Sequence, residues 1–128
     1  MHAIEWTPEH VAAFQPAVEA SPWGPLSTLQ SVLHGAHLLE WRQGAQHALI
    51  AAKPFASELG SRLEVVAMVS DGDRITSAPF SDALIGFARS HGFNMLAMST
   101  RREHIARGCE RAGWVRGGTV MHRWVNHV

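Results

Sequence analysis

The spacing of apolar positions changes several times along the chain, and each change marks an element. "AIEW" alternates briefly and reads as a short strand. Thr7, Pro8 and Glu9 then form a helix opening: a capping hydroxyl, a proline in the first turn, and an acid near the positive end of the dipole. This helix is expected over residues 8–19, with Pro16 as a kink or early stop. "SPWGP" (21–25) reads as a loop. Leu26, Leu29, Val32 and Leu33 recur at helical spacing and close on Gly35.

The period then shortens. "HLLEWR" and "QHALIAA" flank Gln43-Gly44 and predict a hairpin, followed by a polar connection, "PFASELGS". "RLEVVAMVS" (62–70) has a continuous apolar centre, the pattern of a strand buried on both faces. After the turn-rich "DGDRITSAP", "SDALIGFARSHG" predicts a helix with Ser81 as cap, Leu84, Ile85 and Ala88 inward, and Gly92 as stop. "FNMLAMS" predicts a strand. "RREHIARGCERAGW" predicts a helix with Ile105, Cys109 and Ala112 on one stripe. "GGTVMHRWV" predicts a last strand. The order β-α-α-β-β-β-α-β-α-β implies an α/β (mixed α+β) domain with a mixed sheet and helices on its faces.

Composition narrows the class. The chain of 128 residues is 46% hydrophobic, which suits one compact domain over residues 1–128. Its 17% charged content and zero formal net charge argue against disorder. No apolar run reaches the roughly 20 residues of a membrane span, and the start lacks a signal-peptide pattern. A lone cysteine, Cys109, excludes an internal disulfide and favours a reducing, cytoplasmic setting. Charge is unevenly spread: residues 1–60 sum to −3, and residues 101–128, with six arginines against Glu103 and Glu110, sum to +4. A basic end of this kind meets anions or lies on a solvated helix face; nucleic acid is not expected.

Chemistry-bearing motifs are few. His34 and His37 form an H-x-x-H across Gly35, which places them at a helix end, and one cysteine completes no zinc set, so no metal is expected. No P-loop, nucleophile elbow or zinc-protease helix is present. Trp23 in "SPWGP" is a candidate exposed anchor for a partner.

The order of elements, and the phrases "RLEVVAMV", "FNMLAMSTRREHIARGCERAGWV" and "VMHRW", resemble the GNAT superfamily of acetyl-CoA-dependent N-acetyltransferases. Gly113-Trp114 stands where that family has Gly-Phe. The resemblance implies a central mixed sheet of six to seven strands flanked by about four helices. It also implies a diphosphate loop of the form Arg/Gln-x-x-Gly-x-Gly/Ala. There Arg74 matches the first position, Ser77 the first essential glycine, and Pro79 the last. Pro79 has no N–H to give an anion. Val69, Arg74, Ser77, Ala78 and Arg102 are the positions the resemblance places around CoA, with Arg102 where an asparagine is common. Cys109 replaces the tyrosine that acts as general acid, and Glu64 is the positional candidate for the base. A thiol with an ordinary pKa of about 8.5 suits the task, yet Cys109 lies on the apolar stripe.

Two function classes follow. One is a non-catalytic GNAT-like module with an eroded cofactor site, working through a protein partner or self-association. Small GNAT-like virion-associated proteins of short-tailed phages are similar in size, layout and loss of the glycine loop, which would make it virion-associated. The other is an active acetyltransferase on a small or protein amine, with acetyl-CoA as its cofactor.

Overall fold

The computed structural model describes residues 1–20, 28–72, 74–118, 121, 123 and 125. The expected "SPWGP" loop with Trp23 lies outside them, as do Thr119, Val120, His122 and Trp124 of the expected last strand. Among the described residues the sheet has five strands, fewer than the resemblance implies. They are β1 (His2–Ile4), β2 (His37–Gln43), β3 (Gln46–Ser57), β4 (Gly60–Ser70) and β5 (Met95–Met98). The helices are α1 (Pro8–Ala13), α2 (Gln15–Glu19), α3 (Leu29–Leu33), α4 (Ala78–Ser90) and α5 (Glu103–Arg111), with a 3-10 turn at Arg74–Thr76. The mixed α/β class is as the sequence predicts. No helix among the described residues is long and apolar enough to cross a membrane.

Sheet order follows chain order, β1-β2-β3-β4-β5. All pairs are antiparallel except β4 and β5, which run parallel because α4 carries the chain back between them. The β2–β3 hairpin closes through Gly44 at φ +60, the first central position of its two-residue turn, where a type II′ geometry favours glycine.

Each face of the sheet buries its own cluster. Leu39, Trp41, Ile50, Leu63 and Val65 pack against Phe80, Leu84, Ala88 and Ile105 of α4 and α5. Trp41 meets Phe80 edge-on, centroids 5.4 Å apart. Leu38, Leu49, Ala51 and Ala67 pack on the other face against Phe14, with Leu29 and Val32 of α3 beside them. β4 therefore is covered on both sides, as its apolar run predicts.

Four local expectations are corrected. "PFASELGS" is not a connection: β3 continues to Ser57 and pairs Phe55 with Arg62. β2 begins opposite Ala52, so Pro54 stands on a strand edge, where a missing N–H is tolerated. The helix over 8–19 is two helices meeting at Phe14, and Pro16 sits in the first turn of the second. The cap of α4 is Ser77, whose Oγ accepts from the Phe80 N–H at 3.3 Å. Ile85, expected inward, is 38% exposed.

Candidate functional site

The site begins with an incomplete strand pairing. β5 pairs with β4 only from Arg62↔Met95 to Val65↔Met98. β4 continues to Ser70, held on its other side by β3. The register between β3 and β4 also slips: Ala51 faces Ala67 while Ala52 faces Val65, which leaves Val66 as an extra residue. Such a bulge bends and twists its strand. It turns Val66 and Ala67 towards the same face, so both join the α1–α3 cluster while Val65 joins the other.

β5 ends at Met98 and the chain leaves towards α5, so β4 runs on past its neighbour. A cavity of about 480 Å³ lies in the opening. Val66–Ser70 form one wall, Met98–Arg102 with Ile105 the other, and Ala13, Pro16, Ala17 and Ala20 close the base. The small side chains of α1 and α2 leave room above that base.

The sequence-predicted residues are divided by this geometry. Val69 and Arg102 stand on opposite walls of the cleft. Arg74 opens the 3-10 turn, and its side chain lies outside the described part. Ser77 and Ala78 start α4 directly behind Ile75, a cleft residue. Glu64 is not in the cleft wall. It lies on the paired half of β4, opposite Lys53 and Ala97, with its carboxylate 3.9 Å from Arg62 Nε. Cys109 is 5% exposed and borders a different groove, of about 500 Å³, between α5 and residues 114–118. Burial pushes its thiol pKa up, so it is a thiol and not a thiolate at neutral pH.

The start of α4 has few donors left for an anion. Ser77 Oγ takes the Phe80 N–H, Pro79 has none, and the Ser81 N–H closes the first turn on Ser77 O at 3.0 Å. Among the described residues, the helix start keeps the Ala78 N–H. Ser77 thus caps the helix as serine does at this position. A CoA diphosphate would find here one backbone donor beside a proline ring, a partial fit.

Behind the loop, Ser81 links three segments. Its buried Oγ donates to Ile75 O at 3.2 Å and accepts from Trp114 Nε1 at 3.3 Å. Gly108 permits a second close contact: a Cβ there would stand 2.5 Å from Thr76 Cγ2. These contacts hold the 3-10 turn against α4 and α5.

The sequence reading missed Arg101 and the α1–α2 alanines. An Arg-Arg pair separated by two residues from the end of a strand was the available signal for the first. Nothing local marks the alanines, because they reach the cleft only through packing.

No family model and no curated protein matches this chain. Similarity is found among solved structures. A crystal structure named a probable acetyltransferase superposes with a TM-score of 0.58 at 14% identity, covering 100% of this chain and 99% of that one. TTHA1254 from Thermus thermophilus superposes with a TM-score of 0.55 at 14% identity, covering 100% of both chains. A point mutant of TTHA1254 gives 0.57 at 15% identity, covering 100% and 99%. At these identities the likeness is one of fold: this chain and a probable acetyltransferase share theirs from end to end.

Proposed function

We propose that this chain is a GNAT-like domain that does not catalyse acetyl transfer and serves as a structural or protein-interaction module. The carrying observation is the chemistry of the cleft walls. Among its described residues the ionisable side chains are Arg101 and Arg102. Moving an acetyl group from a thioester to an amine requires one group to take the amine proton and one to protonate the thiolate. Arginine stays charged at all working pH values and does neither. Glu64 faces Arg62 outside the cleft, and the Cys109 thiol is buried beside the other groove. The sparse donors at the α4 start point the same way.

The test is thiol release from acetyl-CoA in the presence of a panel of small and peptide amines, with calorimetric titration of acetyl-CoA alongside. The expected result is no release above the uncatalysed background. Turnover would overturn the reading. Ser77→Gly with Pro79→Gly should strengthen acetyl-CoA binding by roughly tenfold or more, because it restores an N–H donor and close approach.

The rival reading is an acetyl-CoA-dependent N-acetyltransferase using water as base. It draws on the open β4–β5 cleft and on the fold shared with a probable acetyltransferase. That reading requires Cys109→Ala to lower turnover while the protein stays folded.

A further inference from the structure

We infer that the β4–β5 cleft is a groove for an extended acidic peptide segment, which adds as a strand to the free edge of β4 and sets its carboxylates against Arg101 and Arg102. The inference rests on the non-catalytic reading and names the partner class for it.

The first observation is the strand edge. From Val66 to Ser70, β4 has β3 on one side and, among the described residues, no strand on the other. Backbone N–H and C=O groups on such an edge need partners, and an incoming extended chain supplies them with its own. The opening is a continuation of the β4–β5 ladder, so an added segment would enter at a position where strand spacing already exists.

The second observation is charge. Arg101 and Arg102 are exposed, line the cleft, and form no ion pair among the described residues. The acids nearest in sequence are already matched. Glu103 binds Arg116 Nη2 at 2.6 Å and Arg107 Nε at 3.4 Å, and Glu110 binds Arg116 Nε at 2.9 Å. Those pairs hold the Glu103 carboxyl below its ordinary pKa, chiefly through the Arg116 bond. The described cleft wall carries no carboxylate. Two guanidinium groups without an ion pair among the described residues, beside an apolar slot, are complementary to an apolar–acidic alternation, because alternate side chains of a strand point the same way.

The third observation is the lining. Val66, Val69, Ile105 and the alanines of α1 and α2 give the slot apolar walls. That surface accepts small β-branched side chains.

The experiment uses the full chain and fluorescein-labelled Val-Asp-Val-Asp-Val, read by anisotropy at two salt concentrations. Binding is expected, weakening as salt rises. The lysine counterpart, Val-Lys-Val-Lys-Val, should bind at least roughly tenfold more weakly. An acidic peptide N-methylated at alternate amides should lose roughly tenfold or more, because its edge cannot pair. Arg101→Gln with Arg102→Gln should remove most of the preference for acid over base; both side chains are exposed, so the fold is not at risk. Equal binding of acidic and basic peptides, indifference to N-methylation, or no binding up to millimolar peptide would overturn the groove. The thiol-release assay separates the two ideas. Peptide binding together with turnover would keep the groove and sink the non-catalytic reading. No peptide binding and no turnover would sink the groove alone.

Discussion

The two halves of β4 differ in sequence and in neighbours: Arg62–Val65 alternates charged and apolar residues, and Val66–Ser70 carries no charge. Arg62–Val65 is paired on both edges, by β3 and β5, and its Leu63 is 2% exposed between two helices and the sheet. Val66–Ser70 is the more apolar half, with two valines, an alanine and a methionine, but it is paired on one edge only and its residues are mostly half-buried. The first half sets Leu63 and Val65 into the core. The second has the composition of core and the surroundings of a binding site. A strand acquires a site here by losing a neighbour, in the half whose own residues are the more apolar.

The strongest way to sharpen that contrast is truncation in each half. Leu63→Ala should cost about 2–5 kcal/mol, since it opens a cavity in a packed cluster. Val69→Ala should cost roughly 1 kcal/mol or less, because half-exposed surroundings relax or fill with water. Urea denaturation measures both. Equal costs would mean that the open half is as tightly packed as the closed one.

The next test addresses the frame behind the open half. Gly108→Ala should destabilise by about 1–3 kcal/mol, as its Cβ would strike Thr76 of the 3-10 turn. Gly86→Ala, on α4 with open space around it, should stabilise by about 0.5–1 kcal/mol. Opposite signs for two helical glycines would fix the loop against α5; like signs would detach it.

Ser81→Ala should cost about 1–2 kcal/mol by leaving Ile75 O and the Trp114 indole without their partner. Trp114 fluorescence should shift with it, which a loss of stability alone in the native protein would not produce.

The smallest effect belongs to the closed edge. Glu40 on β2 accepts from His47 at 2.9 Å and from Arg42 at 3.2 Å. The His47 bond first, and Arg42 after it, hold its carboxyl below the ordinary 4.5. A carboxylate depressed on folding stabilises the protein above the unfolded pKa, and the contribution is lost as pH falls through the folded value. Stability should therefore decline below about pH 4.5. Glu40→Gln should flatten that limb by roughly a few tenths of a kcal/mol, since solvent screens a pair on the sheet surface. An unchanged acid limb would assign the decline to other carboxylates.

Much of the fold was legible because its signals are local. The Thr7 cap, the Gly44 turn and the Gly92 stop act over a few residues, and each stands where the sequence places it. The errors came where two local readings competed. Ser77 and Ser81 are both plausible caps four residues apart, and the 3-10 turn decides between them by engaging the Ser81 hydroxyl. "PFASELGS" reads as a connection because it is polar and holds a proline, yet β4 offers it a full ladder. Ile85 fits the inward stripe of α4 by spacing, but it lies just beyond the stripe's edge.

By itself the sequence determined the mixed α/β class and most of the order of elements, since these follow from spacing and backbone preference. Tertiary structure alone decided that β4 and β5 part after Val65, that Arg101 and Arg102 face the gap, and that Cys109 and Glu64 do not. Those outcomes depend on where β5 stops beside a bulged β4, a relation between segments some thirty residues apart that no local pattern encodes.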